Sequence, residues 1–350
     1  MFVENLAHFA NGAALMFFLS LCFRIYPLRK SNRMMGMLFF SMAFMVFLEV
    51  KDMVYLVDGM WYNRYISRLC MCVDMVYVPI ISVFLFETLS PGWRTWLKSA
   101  LMLSGQVLFV LLFAITGSEI VFRLSMLYAV IFGIVVVAVV FMASSSHDNY
   151  IRNNFSYTEG ISVRWTRIAS VALFMSLFVW TFFLWEDNWL GDACYYIVSI
   201  LTWAYISTCS LKYKVIEVPQ TILLNFMEKK SVETPQNENQ VSFENKLKRC
   251  MEEEQLFLNP KLTLQDAAQA VGTNRTYLSD YLNNTLGTTF YEYVNTYRVK
   301  YACGLLTSAD ASKLTLADVA ENSGFNSMST FNRAFLKVTG KTPTSYNKIV

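Results

Sequence analysis

The sequence predicts an all-α protein. It reads as a seven-helix transmembrane bundle, with six helices as the alternative count. A soluble domain follows, in which a long helix joins two helix-turn-helix motifs. Three observations predict this. Seven runs of about 20 mostly apolar residues fill the first 214 positions. A polar stretch, "SVETPQNENQ" (231–240), interrupts the chain and cannot bury a core. One pattern of residues then occurs twice in the last hundred positions.

Composition supports the division. The chain has 350 residues, 55% apolar and only 16% charged, against about 25% charged in an average soluble domain. Residues 1–214 hold 15 Lys and Arg and 12 Asp and Glu, whereas the shorter remainder holds 14 of each. A net charge of +3 gives no polyanion signal for the whole chain. The seven cysteines contain no metal spacing, because Cys70-Met71-Cys72 is too tight and there are only two histidines. No cofactor or metal is expected. The N-terminal apolar run has no basic leader or small-residue cleavage site, so it does not read as a plain signal peptide.

The apolar runs cover roughly 6–26, 34–57, 66–88, 97–117, 120–143, 166–185 and 193–211. A bilayer offers no water to the backbone, so each run must bond internally as a helix. The second and third carry Glu49, Lys51, Asp52 and Asp74, hence the alternative count of six. Positive charge sets the orientation. One set of loop ends carries eleven basic residues: Arg24, Arg29, Lys30, Arg33, Arg94, Lys98, Arg152, Arg164, Arg167, Lys212 and Lys214. The other carries four, Lys51, Arg64, Arg68 and Arg123, beside the acidic loop "EDNWLGD" (186–192). The rich side is cytoplasmic, which places the N-terminus outside and everything after residue 211 inside.

The predicted division is a membrane domain at 1–214, a linker at 215–242 and a soluble domain at 243–350. Within the linker, Ile222, Leu223, Phe226 and Met227 have the spacing of a short amphipathic helix on a membrane surface or a partner. An extension of the last span reads equally well.

The repeat aligns "KLTLQDAAQAVG" (261–272) with "KLTLADVAENSG" (313–324), 52 residues apart. After one inserted residue, Leu278, Leu282, Gly287, Thr289 and Tyr293 fall on Phe331, Phe335, Gly340, Thr342 and Tyr346, 53 apart. Thr263 and Thr315 stand three residues before an Asp, the capping-box spacing that starts a helix. Gly272 and Gly324 end that helix, and Asn274 and Ser327 cap the next. Leu278 with Leu282, and Phe331 with Phe335, lie one turn apart and face a core. Between the two units, Phe290, Val294, Tyr297, Ala302 and Leu305 space a longer helix over 289–308.

These residues resemble the DNA-binding domain of the AraC/XylS family of bacterial transcription regulators. The resemblance rests on "LTLQDAAQAVG", "YLSDYLN", "FYEYVNTYR", "LTLADVAENSGF", "FNRAF" and "TGKTPTSY" in fixed order, and it covers 243–350. It implies two recognition helices, roughly 274–283 and 327–337, in successive major grooves of double-stranded DNA. Excluding the core positions leaves Arg275, Thr276, Ser279 and Asp280 facing the groove from the first, and Met328, Ser329, Asn332 and Arg333 from the second. Arg333 suits bidentate bonding to a guanine edge. Asp280, at the equivalent position, can accept from cytosine N4 or bond a neighbour, and the second is favoured because a carboxylate near phosphates is costly. The second helix is therefore expected to carry more of the discrimination. Lys337, Lys341, Lys348 and Arg275 are candidate phosphate contacts, with solvated surface as the alternative. Arg298, on the connecting helix, reads as one half of an internal ion pair. Residues 243–350 hold 12 basic against 10 acidic residues, which points to weak binding by one copy and to pairing at tandem half-sites.

Charge within a span marks a functional candidate. Glu49, Asp74 and Arg123 fall in the outer halves of their helices, and Pro79 can kink the helix after Asp74. Two readings stand: a ligand pocket with Asp74 and Arg123 as polar contacts, or charges that pair with each other. For the whole chain, the expected function is a one-component regulator in the bacterial inner membrane, with its DNA-binding domain in the cytoplasm. The expected partners are promoter DNA, RNA polymerase, the lipid bilayer, a second copy of the chain and an unknown small-molecule or membrane cue. The alternative is a transporter, or another membrane protein, whose DNA-binding tail regulates its own expression. No enzyme motif of the metalloprotease, serine hydrolase or P-loop kind appears.

Overall fold

The computed structural model describes residues 2–57, 63–183, 189–216, 238–308 and 314–347. All regular structure among them is helical. The predicted amphipathic stretch at 222–227, the polar stretch up to 237, and Lys348 lie outside the described residues. The chain divides into two compact units, residues 1–147 with 163–224 and residues 148–162 with 225–350.

The first unit contains helices α1 (Phe2–Ile25), α2 (Arg33–Val57), α3 (Arg64–Asp74), α4 (Tyr77–Leu89), α5 (Trp96–Thr116), most of α6 (Glu119–Asn154), α7 (Trp165–Phe183) and α8 (Trp189–Lys212). Ala7, Ala10 and Ala14 form a buried small-residue stripe along α1, which packs on α2 and α8. Phe18, Leu38, Met42, Phe84, Trp203 and Ile206 fill the interior. The outward faces of α5 and α6 are apolar instead of polar: Leu108, Leu111, Ile115, Ile120, Ile131 and Ile134 are exposed. Among the described residues, six helical stretches are long and apolar enough to cross a membrane, and a seventh, Trp165–Phe178, is apolar but shorter.

The third predicted span is interrupted. Helix α3 ends at Asp74 and α4 begins at Tyr77. Pro79 has no N–H to return to the Met75 carbonyl, and that carbonyl instead accepts from Val78 N at 3.1 Å in a tighter turn. The break frees Asp74 to meet Lys51 at 2.6 Å, and Lys51 also meets Asp52 at 2.6 Å. Glu49 is fully buried and accepts from Asn11 Nδ2 at 2.8 Å. Arg123 departs from its expected place beside Asp74. It is exposed and pairs with Glu119 one turn back on its own helix, at 3.1 Å. A cleft lined by Asp74, Tyr77, Ser82, Ser170, Ser176 and Tyr195 among aliphatic side chains does not include Arg123 or Glu49.

The second unit contains α9 (Glu238–Glu252), α10 (Leu264–Val271), α11 (Arg275–Asp280), α12 (Phe290–Thr307), α13 (Leu316–Asn322), α14 (Met328–Thr339) and α15 (Pro343–Asn347). It has two cores. Phe243, Leu247, Cys250 and Met251 of α9 pack with Leu264, Ala268, Leu278, Leu282, Phe290 and Val294. Val299, Ala302 and Leu306 of α12 pack with Val319, Ala320, Phe325, Phe331 and Phe335. Helix α12 thus contributes one end to each core. Full burial of a Phe or Leu side chain contributes roughly 1.5–3 kcal/mol, so each motif depends on the shared helix.

Candidate nucleic-acid interface

Each motif is built by local rules. Thr263 caps α10, accepting from Asp266 N at 3.2 Å, while the Asp266 carboxylate accepts from Thr263 N at 3.0 Å. Thr315 and Asp318 repeat this at 3.2 and 2.8 Å. Those hydrogen bonds from Thr315 hold the Asp318 carboxyl below its usual range. Asn274 caps α11 through Tyr277 N at 2.8 Å, and Ser327 caps α14 through Thr330 N at 3.2 Å. Gly324 turns the chain with φ +81, and a Cβ there would come within 2.8 Å of the Phe257 and Leu258 carbonyl oxygens. Only glycine meets both demands.

The second motif is tied to the first through the carbonyls of residues 257–260. Arg298 is fully buried on α12. Its Nε donates to Phe257 O at 2.7 Å and one Nη to Asn259 O at 2.8 Å, and the other Nη reaches Asn295 Oδ1 at 3.1 Å. Asn326 Nδ2, in the turn of the second motif, donates to Pro260 O at 2.6 Å. The ion pair expected for Arg298 is replaced by a fan of hydrogen bonds to neutral oxygens. A planar guanidinium can satisfy several carbonyls at once. Burial lowers its pKa to about 10, and the charge of Glu159 opposes that shift.

The two candidate recognition helices differ in what they leave open. On α14, Ser329, Asn332 and Arg333 are exposed, while Thr330, Phe331, Ala334 and Phe335 are buried. Met328, expected to face the groove, is half-buried and packs on the second core. On α11, Arg275 and Thr276 are exposed, and Ser279 and Asp280 are half-buried. Asp280 accepts from Asn284 Nδ2 at 2.5 Å, and Ser279 Oγ accepts from Asn283 Nδ2 at 3.2 Å. The helix continues past Asp280 only as a wider π turn, Tyr281–Thr285. Lys337 is ion-paired to Glu292 of α12, and Lys341 is exposed. Helix α9, which completes the first core, was not among the sequence expectations. Phe243, Leu247, Cys250 and Met251 stand at i, i+4, i+7 and i+8, a usable signal inside a polar stretch.

Residues 267–349 match the protein-family model of a helix-turn-helix domain. An uncharacterized HTH-type transcriptional regulator of Staphylococcus aureus (strain COL) is 33% identical over 92 residues, 26% of this chain and 12% of that relative. The uncharacterized HTH-type transcriptional regulator YtdP of Bacillus subtilis (strain 168) is 33% identical over 88 residues, 25% of this chain and 11% of the relative. The chain thus spans about a tenth of the length of these relatives, and the likeness lies in one domain. No solved structure matches. The C-terminal part of the chain is an AraC-type helix-turn-helix domain, a class found in transcriptional regulators.

Proposed function

We propose that the chain is a membrane-embedded, one-component transcription regulator that binds DNA in a sequence-specific way through its two helix-turn-helix motifs. The observation that carries this reading is the exposed row Ser329, Asn332 and Arg333 on a capped helix whose other face, Phe331, Ala334 and Phe335, is buried in the core. Helices with apolar outward faces in the first unit support insertion in a bilayer. The bias of Lys and Arg supports an outside N-terminus and a cytoplasmic DNA-binding domain in the inner membrane. In this reading Arg275, Thr276, Ser329, Asn332 and Arg333 meet the duplex, Lys341 adds phosphate contact, and tandem half-sites bind paired copies. RNA polymerase is then recruited beside the occupied site.

The cue acts on the first unit, where Asp74 lines the cleft at a helix break while paired to Lys51. Intramembrane ionisable groups at such breaks are costly to keep and suit ligand contact. Asp74→Asn is expected to remove the response of target promoters while the amount of protein in the membrane stays at the wild-type level. A variant that responds normally would exclude Asp74 from sensing. The DNA-binding reading is tested by crosslinking the intact protein to the genome and sequencing the captured DNA. Discrete sites next to promoters are expected. Uniform capture, with the protein present in the membrane fraction, would contradict it.

A further inference from the structure

Residues 148–162, the connection between α6 and α7, belong to the compact unit that holds the helix-turn-helix motifs. Their contacts fall on both motifs. Phe155 forms an antiparallel bridge with Thr263, and Ser156 N donates to Leu262 O at 3.1 Å, at the start of the first motif. Two nitrogens of the buried Arg298 donate to Ser156, one to its carbonyl and one to its hydroxyl, each at 2.9 Å. Arg275 Nε donates to Asn154 Oδ1 at 2.8 Å, and its Nη2 reaches the Tyr150 hydroxyl at 3.3 Å. At the N-terminus of α14, Glu159 Oε1 accepts from Ser327 Oγ at 3.0 Å and also from Thr330 Oγ1.

We propose that this segment is a built-in competitor of DNA, which holds the reading domain closed by presenting Glu159, Asn154 and Tyr150 to groups that would otherwise take backbone phosphates. This rests on the DNA-binding reading above. Three facts carry it. Arg275 is the first residue of α11, an exposed cation, and it is already engaged. Glu159 places a carboxylate at the positive end of a twelve-residue helix, the position a phosphate takes on such a helix. The same carboxylate repels any phosphate that approaches Ser327 and Thr330. The anchor is strong, because Arg298 ties the segment to the carbonyls that also join the two motifs. DNA binding and docking of the segment then exclude one another, so each weakens the other by the same factor. Because α6 and α7 hold its two ends, a shift of either helix reaches the segment.

The test measures occupancy of the strongest genomic site by the intact protein in its native membrane, without inducing conditions. Glu159→Gln removes the charge at nearly constant size, and Asn154→Ala releases Arg275 without opening a buried core. Both are expected to raise occupancy about 5-fold or more, the lower end of common coupling between two sites. Arg333→Ala is carried alongside. If it empties the site while Glu159→Gln and Asn154→Ala stay at or below the wild-type level with normal amounts of protein, the competitor is excluded and the DNA reading stands. If the site is indifferent to Arg333→Ala as well, the DNA reading fails and the competitor fails with it.

Discussion

The two helix-turn-helix motifs share caps, turns and core positions, yet they present different faces. The second has a twelve-residue helix with Asn332 and Arg333 exposed, on a core of Phe331 and Phe335. The first has a six-residue helix that widens into a π turn, and its side chains at 279 and 280 are spent on Asn283 and Asn284. The repeated units share a scaffold and differ in the side chains they leave exposed. Under the proposed function, this difference would leave most of the discrimination to the second motif.

Six substitutions, in three matched pairs, break or sharpen this comparison, and the largest effect falls on the turns. Gly324→Ala meets a left-handed φ and two carbonyl oxygens at 2.8 Å, whereas Gly272 has φ +78 with nothing within 4 Å. Left-handed strain costs about 1–2 kcal/mol and overpacking about 1–3 more. Gly324→Ala should thus destabilise α14 by about 3 kcal/mol, and Gly272→Ala should destabilise α11 by about half that. Hydrogen exchange of the amides in the two helices checks the difference, and equal losses would contradict it.

At the matched pair Arg333 and Asp280, removing the first should weaken binding to the preferred site by about 1–3 kcal/mol, the usual worth of a bidentate base contact. Asp280→Ala should change it by no more than about 0.5 kcal/mol, as for surface changes away from a contact. Filter binding of membrane vesicles to the labelled site reads both. The smallest effect belongs to the caps. Thr263→Ala and Thr315→Ala should each cost about 1 kcal/mol, and nearly the same amount, because their capping geometry agrees within 0.2 Å. Unequal protection losses in α10 and α13 would show that the two scaffolds have diverged too.

What was legible in the sequence followed from local rules. The caps at Thr263, Asn274, Thr315 and Ser327, the break near Pro79 and the core pairs Leu278–Leu282 and Phe331–Phe335 each depend on neighbours within a turn or two. Partners distant in sequence were not legible. Asp74 meets Lys51 across two helices, and Arg123 turns to Glu119 instead. Arg298 reads as half of an internal ion pair on the connecting helix, but its partners are carbonyls 39 and 41 residues away and Ser156, 142 residues away. Nothing in "FSYTEG" (155–160) announces that it docks on a domain a hundred residues later. Met328 shows the limit of face assignment by exclusion, since a first-turn apolar residue can fold back onto the core.

The central claim is that the second motif discriminates among DNA sequences. It is tested most directly by selecting from a random duplex library with the intact protein in membranes, beside Arg333→Ala and Asp280→Ala. The account predicts a site with one strongly specified half, in which a guanine loses its preference in Arg333→Ala and all preferences survive Asp280→Ala. A site whose strongest positions are unaffected by Arg333→Ala but erased by Asp280→Ala would contradict it.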